Sequence, residues 1–188
     1  MKLNIDSGAR ASITVAACFA LATLGGAPAR AQSLSEYQVK AAFIYNFAKF
    51  IDWPEAPSQG AFVIGILGDD PFRGALQATV ENRSVDGRPV VVRQVSSAEV
   101  ARSFQILFVS ASERERLPAI LDSLKGSAVL TVGETEGYAK SGVVINFIVE
   151  DSRVRFEVNV DAAERANLKI SSKMLSLARI VKDQRHGG

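Results

Sequence analysis

The stretch Tyr37-Gln-Val-Lys-Ala-Ala-Phe-Ile-Tyr-Asn-Phe-Ala-Lys-Phe-Ile-Asp-Trp-Pro54 decides the fold, because it carries the longest helical pattern in the chain. At about 100° per residue, its large apolar side chains fall within one arc of about 160°. The members of this predicted stripe are Tyr37, Val39, Phe43, Ile44, Phe47, Phe50 and Ile51. Ser33 and Glu36 supply a capping box before it, and Trp53-Pro54 closes it, since proline disfavours helical geometry in the preceding residue. The pattern predicts one long helix packed against the core.

Tyr45 lies on the opposite side of this predicted helix, among polar residues such as Asn46 and Lys49. Packing alone does not place a large ring there, so Tyr45 is predicted to lie on the surface and to mark a partner contact. Trp53 at the helix end and Phe62 after the following connector are further candidates, because aromatic residues are enriched in interface cores. Each of these side chains, taken alone, also fits ordinary core packing.

Continuous apolar runs follow the helix and are separated by shorter helical patterns. Residues 61–67, 104–109 and 128–132 are apolar without alternation, which indicates strands buried on both faces. Residues 90–95 add another strand. Strands that alternate with helices favour a mostly parallel sheet with helices on both faces. The predicted fold is therefore α/β, a three-layer α/β/α sandwich.

The C-terminal third changes its pattern. Residues 143–160 form two strands around a short polar turn, which predicts an antiparallel hairpin at the edge of the sheet. A short helix capped by Asp161 follows. Ser171 or Ser172 then caps a last helix, which the apolar spacing extends as far as Val181.

The motifs KAAFIYNFAKFIDWP at 40–54 and VRFEVNVDAAERANLKISSKMLSLARIV at 154–181 resemble the YfiR/HmsC-like family of small bacterial periplasmic proteins. The resemblance implies a regulatory protein that binds and represses the periplasmic sensor region of an inner-membrane diguanylate cyclase. Such repression lowers cyclic-di-GMP signalling and biofilm formation. The resemblance also implies that segment 161–175, with Glu164 and Ile170, helps to present the repressor surface.

The chain departs from the better-known members of that family in its cysteines. Those members resemble disulfide-bonded proteins with paired cysteines, whereas this chain has a single cysteine, Cys18. A redox-sensing role is therefore not carried over from the resemblance.

The first 31 residues have the anatomy of a secretory signal peptide. Lys2 and Arg10 precede an apolar run at 11–24 that is too short for a stable membrane span, and Ala29-Arg30-Ala31 forms an A-x-A cleavage site. Cleavage there predicts one periplasmic domain at 32–188. Removing the leader leaves equal numbers of basic and acidic residues. The mature domain is therefore expected neither to bind nucleic acid nor to insert into a membrane. The sequence is compatible with a homodimer.

The sequence offers few side chains for catalysis. Its only histidine is His186, in the C-terminal tail, and its only cysteine, Cys18, belongs to the predicted leader. This removes the usual catalytic triads and cysteine nucleophiles. It also removes the imidazole and thiolate ligands of zinc and copper sites. We expect no enzymatic activity, no cofactor and no metal.

Three turns follow apolar strands, at 68–70, 110–112 and 133–135. In an open parallel sheet, such turns gather outside the carboxyl ends of the strands, where ligands bind. The candidate residues of this ligand crevice are Asp69, Asp70, Ser110 and Ser112. Helix capping explains Asp70 and Ser112 as well. The alternative function is a periplasmic small-ligand-binding module.

Overall fold

The computed structural model describes residues 27–53 and 60–184 of the chain. Most of the predicted leader, including Cys18, lies outside the described residues, as do the connector 54–59 and His186. The helices are α1 (Ala27–Phe47), α2 (Ala75–Val80), α3 (Leu117–Ser123), α4 (Val160–Arg165) and α5 (Ser172–Leu175), with 3-10 helices at Val100–Ser103 and Ala111–Arg116. The strands are β1 (Ile51–Asp52), β2 (Phe62–Leu67), β3 (Ser84–Val85), β4 (Arg88–Val95), β5 (Ile106–Val109), β6 (Leu130–Gly133), β7 (Ile145–Glu150), β8 (Arg153–Asn159), β9 (Lys169–Ile170) and β10 (Arg179–Val181).

One eight-stranded sheet organises the described chain, in the order β10-β8-β7-β6-β5-β2-β4-β3. The five neighbouring pairs β2-β4, β2-β5, β5-β6, β6-β7 and β8-β10 are parallel. The antiparallel pairs are β7-β8 and β3-β4. The predicted α/β architecture is confirmed, with a mostly parallel sheet flanked by helices and an antiparallel C-terminal hairpin.

Two hydrophobic clusters cover the two faces of this sheet. The larger one joins α1, α2 and α4 to side chains such as Ile64, Phe108 and Val132. The smaller one joins α3 and the first 3-10 helix to Leu107 and Val109. Neighbouring residues of β5 thus point to opposite clusters, because successive side chains of a strand alternate between faces. This is why the strands read as continuous apolar runs.

The C-terminal hairpin is not the edge of the sheet, contrary to the prediction. Strand β10 lies outside β8 in parallel register, with Ile180 opposite Val158. The predicted last helix is only one turn long. Its N-cap is Ser171, whose hydroxyl accepts the N–H of Met174 at 3.3 Å. The chain then turns back, and strand β10 satisfies backbone groups that β8 would otherwise expose at an edge.

Both predicted ends of the first helix are wrong. Helix α1 begins at Ala27, so Ser33 lies inside the helix and not at its N-cap. It ends at Phe47, six residues before Trp53, because Ile51 and Asp52 leave the helix to form β1. The backbone of this segment finds its partners outside the helix. The carbonyl of Phe50, for example, accepts the N–H of Ser171 at 3.0 Å.

The surface positions predicted for Tyr45 and Phe62 are also wrong. Tyr45 is 7% exposed, and its hydroxyl donates to the carbonyl of Ser84 at 3.3 Å. Helix α2 and the loop to β3 cover this flank of α1, and a helical angle cannot predict which neighbour covers a flank. Phe62 is 1% exposed on the first residue of β2. Val39, assigned to the core stripe, is 41% exposed.

Candidate functional site

The two sequence motifs meet in a small separate ribbon. Strand β1 pairs with β9 in antiparallel register, with Ile51 opposite Ile170 and Asp52 opposite Lys169. Antiparallel pairing brings directly opposite side chains within about 5.5 Å of each other at their Cβ atoms. The end of the first motif and the middle of the second therefore form one continuous surface.

We call this region the ribbon surface, and it mixes half-buried apolar groups with exposed charges. Its members are Phe50, Asp52, Trp53, Lys169, Ile170 and Lys173. The ammonium of Lys173 lies 5.6 Å from the ring centre of Phe50, which is a cation–π distance. The exposed Glu164 lies on α4, which leads into β9.

The predicted contact residues thus separate into two groups. Trp53, Glu164 and Ile170 lie on or beside the ribbon surface with exposed or half-buried side chains. The Trp53 indole packs edge-on against Phe62 at 5.5 Å and donates its N–H to the carbonyl of Ala48 at 3.4 Å. The buried Phe62 is therefore a packing partner of Trp53 and not a surface residue. Tyr45 lies in the core.

Tyr45 nevertheless organises charges at the end of α1. The ammonium of Lys49 lies 4.3 Å from its ring centre, and the guanidinium of Arg83 lies 4.9 Å from it. Both cations are exposed. The buried ring therefore holds two positive groups at the surface through cation–π attraction.

The predicted crevice forms at the carboxyl ends of β2, β5 and β6. All four predicted residues, Asp69, Asp70, Ser110 and Ser112, line one cavity of about 400 Å³. Tyr37 from α1 and Glu134 from the turn after β6 also line it. The topology brings the turns together because parallel strands end on the same side of the sheet.

The crevice side chains already have structural tasks. The hydroxyl of Ser112 accepts the N–H of Asp69 at 3.0 Å, which joins the turns after β2 and β5. Asp70 accepts the N–H of Phe72 at 2.8 Å within its own turn. It does not cap a helix, since Gly74 is the N-cap residue of α2. Ser110 is buried, and its carbonyl accepts the hydroxyl of Tyr138 at 3.2 Å.

A buried charge cluster borders the crevice where α1 crosses the sheet. The ammonium of Lys40 lies 2.6 Å from a carboxylate oxygen of Glu36 and 2.7 Å from one of Glu134. The hydroxyl of Tyr37 donates to Glu134 at 3.2 Å. Lys40 is 4% exposed, so water screens these contacts weakly. The cluster ties α1 to the turn after β6.

The cluster shifts two pKa values in the same direction. Burial lowers the pKa of Lys40, but the hydrogen bonds and charges of Glu134 and Glu36 outweigh it, so the pKa is raised. Burial raises the pKa of Tyr37, and the neighbouring Glu134 carboxylate raises it further. Both shifts favour the protonated forms of these groups.

Sequence reasoning missed this cluster. Lys40 follows Glu36 by four positions, a spacing typical of helical ion pairs. The Glu36–Lys40 contact could therefore have been predicted from the sequence. Glu134 lies 94 positions further along the chain. No local pattern connects it to α1.

Two negative findings apply to the part of the chain that the structure describes. No helix there is both long enough and apolar enough to cross a bilayer. Likewise, no group of three or more His, Cys, Asp or Glu side chains is placed there to hold a metal ion.

Comparison with protein families and solved structures gives a consistent result. A family model described as YfiR/HmsC-like matches residues 37–179, a range that contains both the ribbon surface and the crevice. Among solved structures, the chain is similar to an ABC domain in complex with L-Trp from Streptococcus pneumonia, with 11% identity and a TM-score of 0.54. It is also similar to a conserved domain protein from Vibrio cholerae O1 biovar El Tor, with 9% identity and a TM-score of 0.54. Each match covers 78% of this chain and 60% of the other, so this chain spans less than two thirds of those proteins. At such low identity, the likeness concerns the fold alone.

Proposed function

The chain belongs to the YfiR/HmsC-like family, and from this premise we propose that it binds and represses the periplasmic sensor region of an inner-membrane diguanylate cyclase. Repression of that cyclase lowers cyclic-di-GMP signalling and biofilm formation. In this proposal the leader 1–31 is cleaved, and residues 32–188 act in the periplasm as one non-enzymatic domain without a cofactor. A homodimer is compatible with this function.

The observation that carries the proposal is the pairing of β1 with β9. The two segments that carry the family resemblance lie far apart in sequence, yet Ile51 and Ile170 are register partners. The ribbon is not part of the eight-stranded sheet, although Ile51 also packs in the larger core cluster. A surface built jointly from both motifs supports a shared role in binding.

The chemistry of the ribbon surface suits a protein partner. Half-buried Phe50, Trp53 and Ile170 offer apolar area that a partner can cover. Exposed Asp52 and Lys169 surround it with charge. Apolar and aromatic groups inside a polar rim are the usual anatomy of a protein interface.

The first experiment tests regulation in cells. A strain that lacks this protein is expected to have more cyclic-di-GMP than the parent strain, and plasmid-borne wild-type protein should restore the lower level. Unchanged cyclic-di-GMP after deletion would refute the regulatory function.

The second experiment tests the surface. Glu164→Lys reverses an exposed charge beside the ribbon surface, and Glu115→Lys reverses one in the 3-10 helix Ala111–Arg116. We expect Glu164→Lys to weaken capture of the cyclase periplasmic region at least tenfold, about 1.4 kcal/mol. Glu115→Lys should bind as wild type does. Equal binding by both variants, with unchanged melting temperatures, would remove Glu164 from the interface.

The crevice supports the alternative function, a small-ligand-binding module. Its support is the convergence of Asp69, Asp70, Ser110 and Ser112 on one cavity of about 400 Å³. A thermal-shift screen of amino acids and other polar metabolites tests it, since the streptococcal ABC domain of the same fold holds L-Trp. Binding stabilises a fold by about 2.7 kcal/mol at a hundredfold excess of ligand over Kd. A screen without hits would leave repression as the better-supported function.

A further inference from the structure

We propose that a second cavity, at the end of the sheet opposite the crevice, binds an amphipathic carboxylate. By this we mean a molecule with an apolar body and a single carboxylate group. The cavity has a volume of about 500 Å³ and lies between α3, α4 and the starts of β6 and β7. Volumes of this size are typical of small-molecule sites. The inference does not depend on the proposed repression.

The position of the cavity separates it from the crevice. Val129 and Val144, which line it, directly precede β6 and β7. These are the amino ends of the two parallel strands, whereas the crevice lies at the carboxyl ends of β2, β5 and β6. The cavity is therefore a distinct site.

The inner wall of the cavity is aliphatic. Leu121 and Leu124 contribute from α3, Val129 and Val144 from the sheet, and Ala162 from α4. The nearby hydroxyl of Thr131 is already engaged, because it accepts the N–H of Val144 at 2.9 Å. The lining also includes the polar side chains of Ser127 and Ser141, so the aliphatic residues form one part of the cavity and not all of it. An apolar body would remove its exposed carbon surface from water.

Backbone geometry keeps this space open. Gly142 lines the cavity and has a backbone φ of 109°, which residues other than glycine rarely adopt. A Cβ atom there would lie 3.3 Å from a terminal carbon of Leu121 and 3.7 Å from a guanidinium nitrogen of Arg165. With glycine at this position, no side chain fills the space between Leu121 of α3 and Arg165.

Arg165 gives the cavity its charge preference. Its guanidinium lies on the cavity lining and forms an ion pair with Asp183 at the C-terminal end of the described chain. Arginine matches the two oxygens of a carboxylate through two parallel hydrogen bonds. Asp183 does not line the cavity, and its other carboxylate oxygen accepts the side-chain N–H of Asn159. A ligand carboxylate would therefore compete with Asp183 for Arg165.

The cavity lining holds two further charged side chains. Asp122 and Lys125, which also line it, form an exposed ion pair with each other. Lys125 thus pairs with a neighbour on its own segment, whereas Arg165 pairs with the distant Asp183. The expected ligand therefore carries one carboxylate, near Arg165, with its apolar part directed toward Leu121 and Val144.

The test uses octanoate as the probe and octanol as its uncharged match, with isothermal titration calorimetry on the mature protein. We expect octanoate to bind at least tenfold more tightly than octanol. Arg165→Gln should remove that preference, whereas Arg153→Gln, an exposed arginine at the start of β8, should keep it. Melting curves of each variant verify that it folds.

Two further variants make the proposal specific to this cavity. Asp183→Asn removes the competing charge, so it should tighten octanoate binding about threefold or more. Ala166→Leu enlarges a side chain of the cavity lining and should weaken the binding of octanoate and octanol alike. Binding of octanoate that Arg165→Gln leaves unchanged, or equal affinity for octanoate and octanol in the wild type, would overturn the proposal. The absence of any octanoate binding at millimolar concentration would overturn it as well.

Discussion

The ammonium of Lys40 lies 2.7 Å from a carboxylate oxygen of Glu134, although 94 positions of sequence separate the two residues. Both side chains are largely buried, so each needs the other to offset the cost of leaving water. This contact fixes α1 beside the crevice.

Glu134→Gln should destabilise the fold by about 1–3 kcal/mol, because it leaves the buried Lys40 with Glu36 as its remaining carboxylate. Urea unfolding measures the loss. Glu136→Gln, at an exposed position two residues away, is the matched control and should change stability by less than about 0.5 kcal/mol. Equal stability of the two variants would contradict a structural role for the Lys40–Glu134 contact.

Stability should fall as the solution becomes alkaline. The folded pKa values of Lys40 and Tyr37 are raised, so their contribution is complete below the unfolded values, near pH 10. It is lost as the pH rises through the higher folded values. Urea midpoints between pH 9 and 11 measure this decline. The double variant Lys40→Met/Glu134→Gln should make the decline shallower without abolishing it, because the burial that raises the pKa of Tyr37 remains. An unchanged slope would show that other groups cause the decline.

Tyr45→Ala should unfold or strongly destabilise the protein, by about 3–5 kcal/mol, because the ring is 7% exposed in the larger core cluster. Tyr45→Phe keeps the ring and removes only the hydrogen bond to Ser84, so it should cost about 0.5–1.5 kcal/mol. Thermal melting compares the two variants. A stable Tyr45→Ala protein would mean that α2 does not cover this flank of α1.

Gly68→Ala and Gly74→Ala form a matched pair for the crevice. Both glycines have a left-handed backbone, with φ of 85° and 89°, so each substitution carries a strain of about 1–2 kcal/mol. Only at Gly68 would the new Cβ meet a neighbour, the hydroxyl oxygen of Ser112. Gly68→Ala should therefore cost about 1–3 kcal/mol more. Chemical denaturation measures both, and equal losses would contradict the close approach of the two turns.

Export should yield a mature chain that begins at Gln32, because Ala29-Arg30-Ala31 forms the cleavage site. Intact-mass spectrometry of the periplasmic fraction checks this. A chain that retains Met1 would contradict cleavage. A mass increase from a lipid on Cys18 would show that the protein is processed as a lipoprotein and is not cleaved after Ala31.

The layered α/β fold and its antiparallel hairpin follow from the pattern of apolar runs and turns in the sequence. Apolar runs such as 104–109 indicate strands buried on both faces wherever the chain places them. The order of strands and helices then restricts the topology, since parallel neighbours need crossovers. The same reasoning brought Asp69, Asp70, Ser110 and Ser112 to one edge, because that placement follows from strand direction alone.

Features that depend on residues far apart in the chain become visible in the three-dimensional structure. The 3.6-residue period gives the angle of Tyr45 but does not say that α2 covers that flank. The spacing of Leu175 and Val181 fits a helix, yet the open edge of β8 draws Arg179–Val181 into a strand. Asp52 and Lys169 face each other across a ribbon that neither local sequence specifies. Periodicity encodes interactions between near neighbours in the chain, whereas burial and pairing of this kind depend on which remote segment removes a group from water.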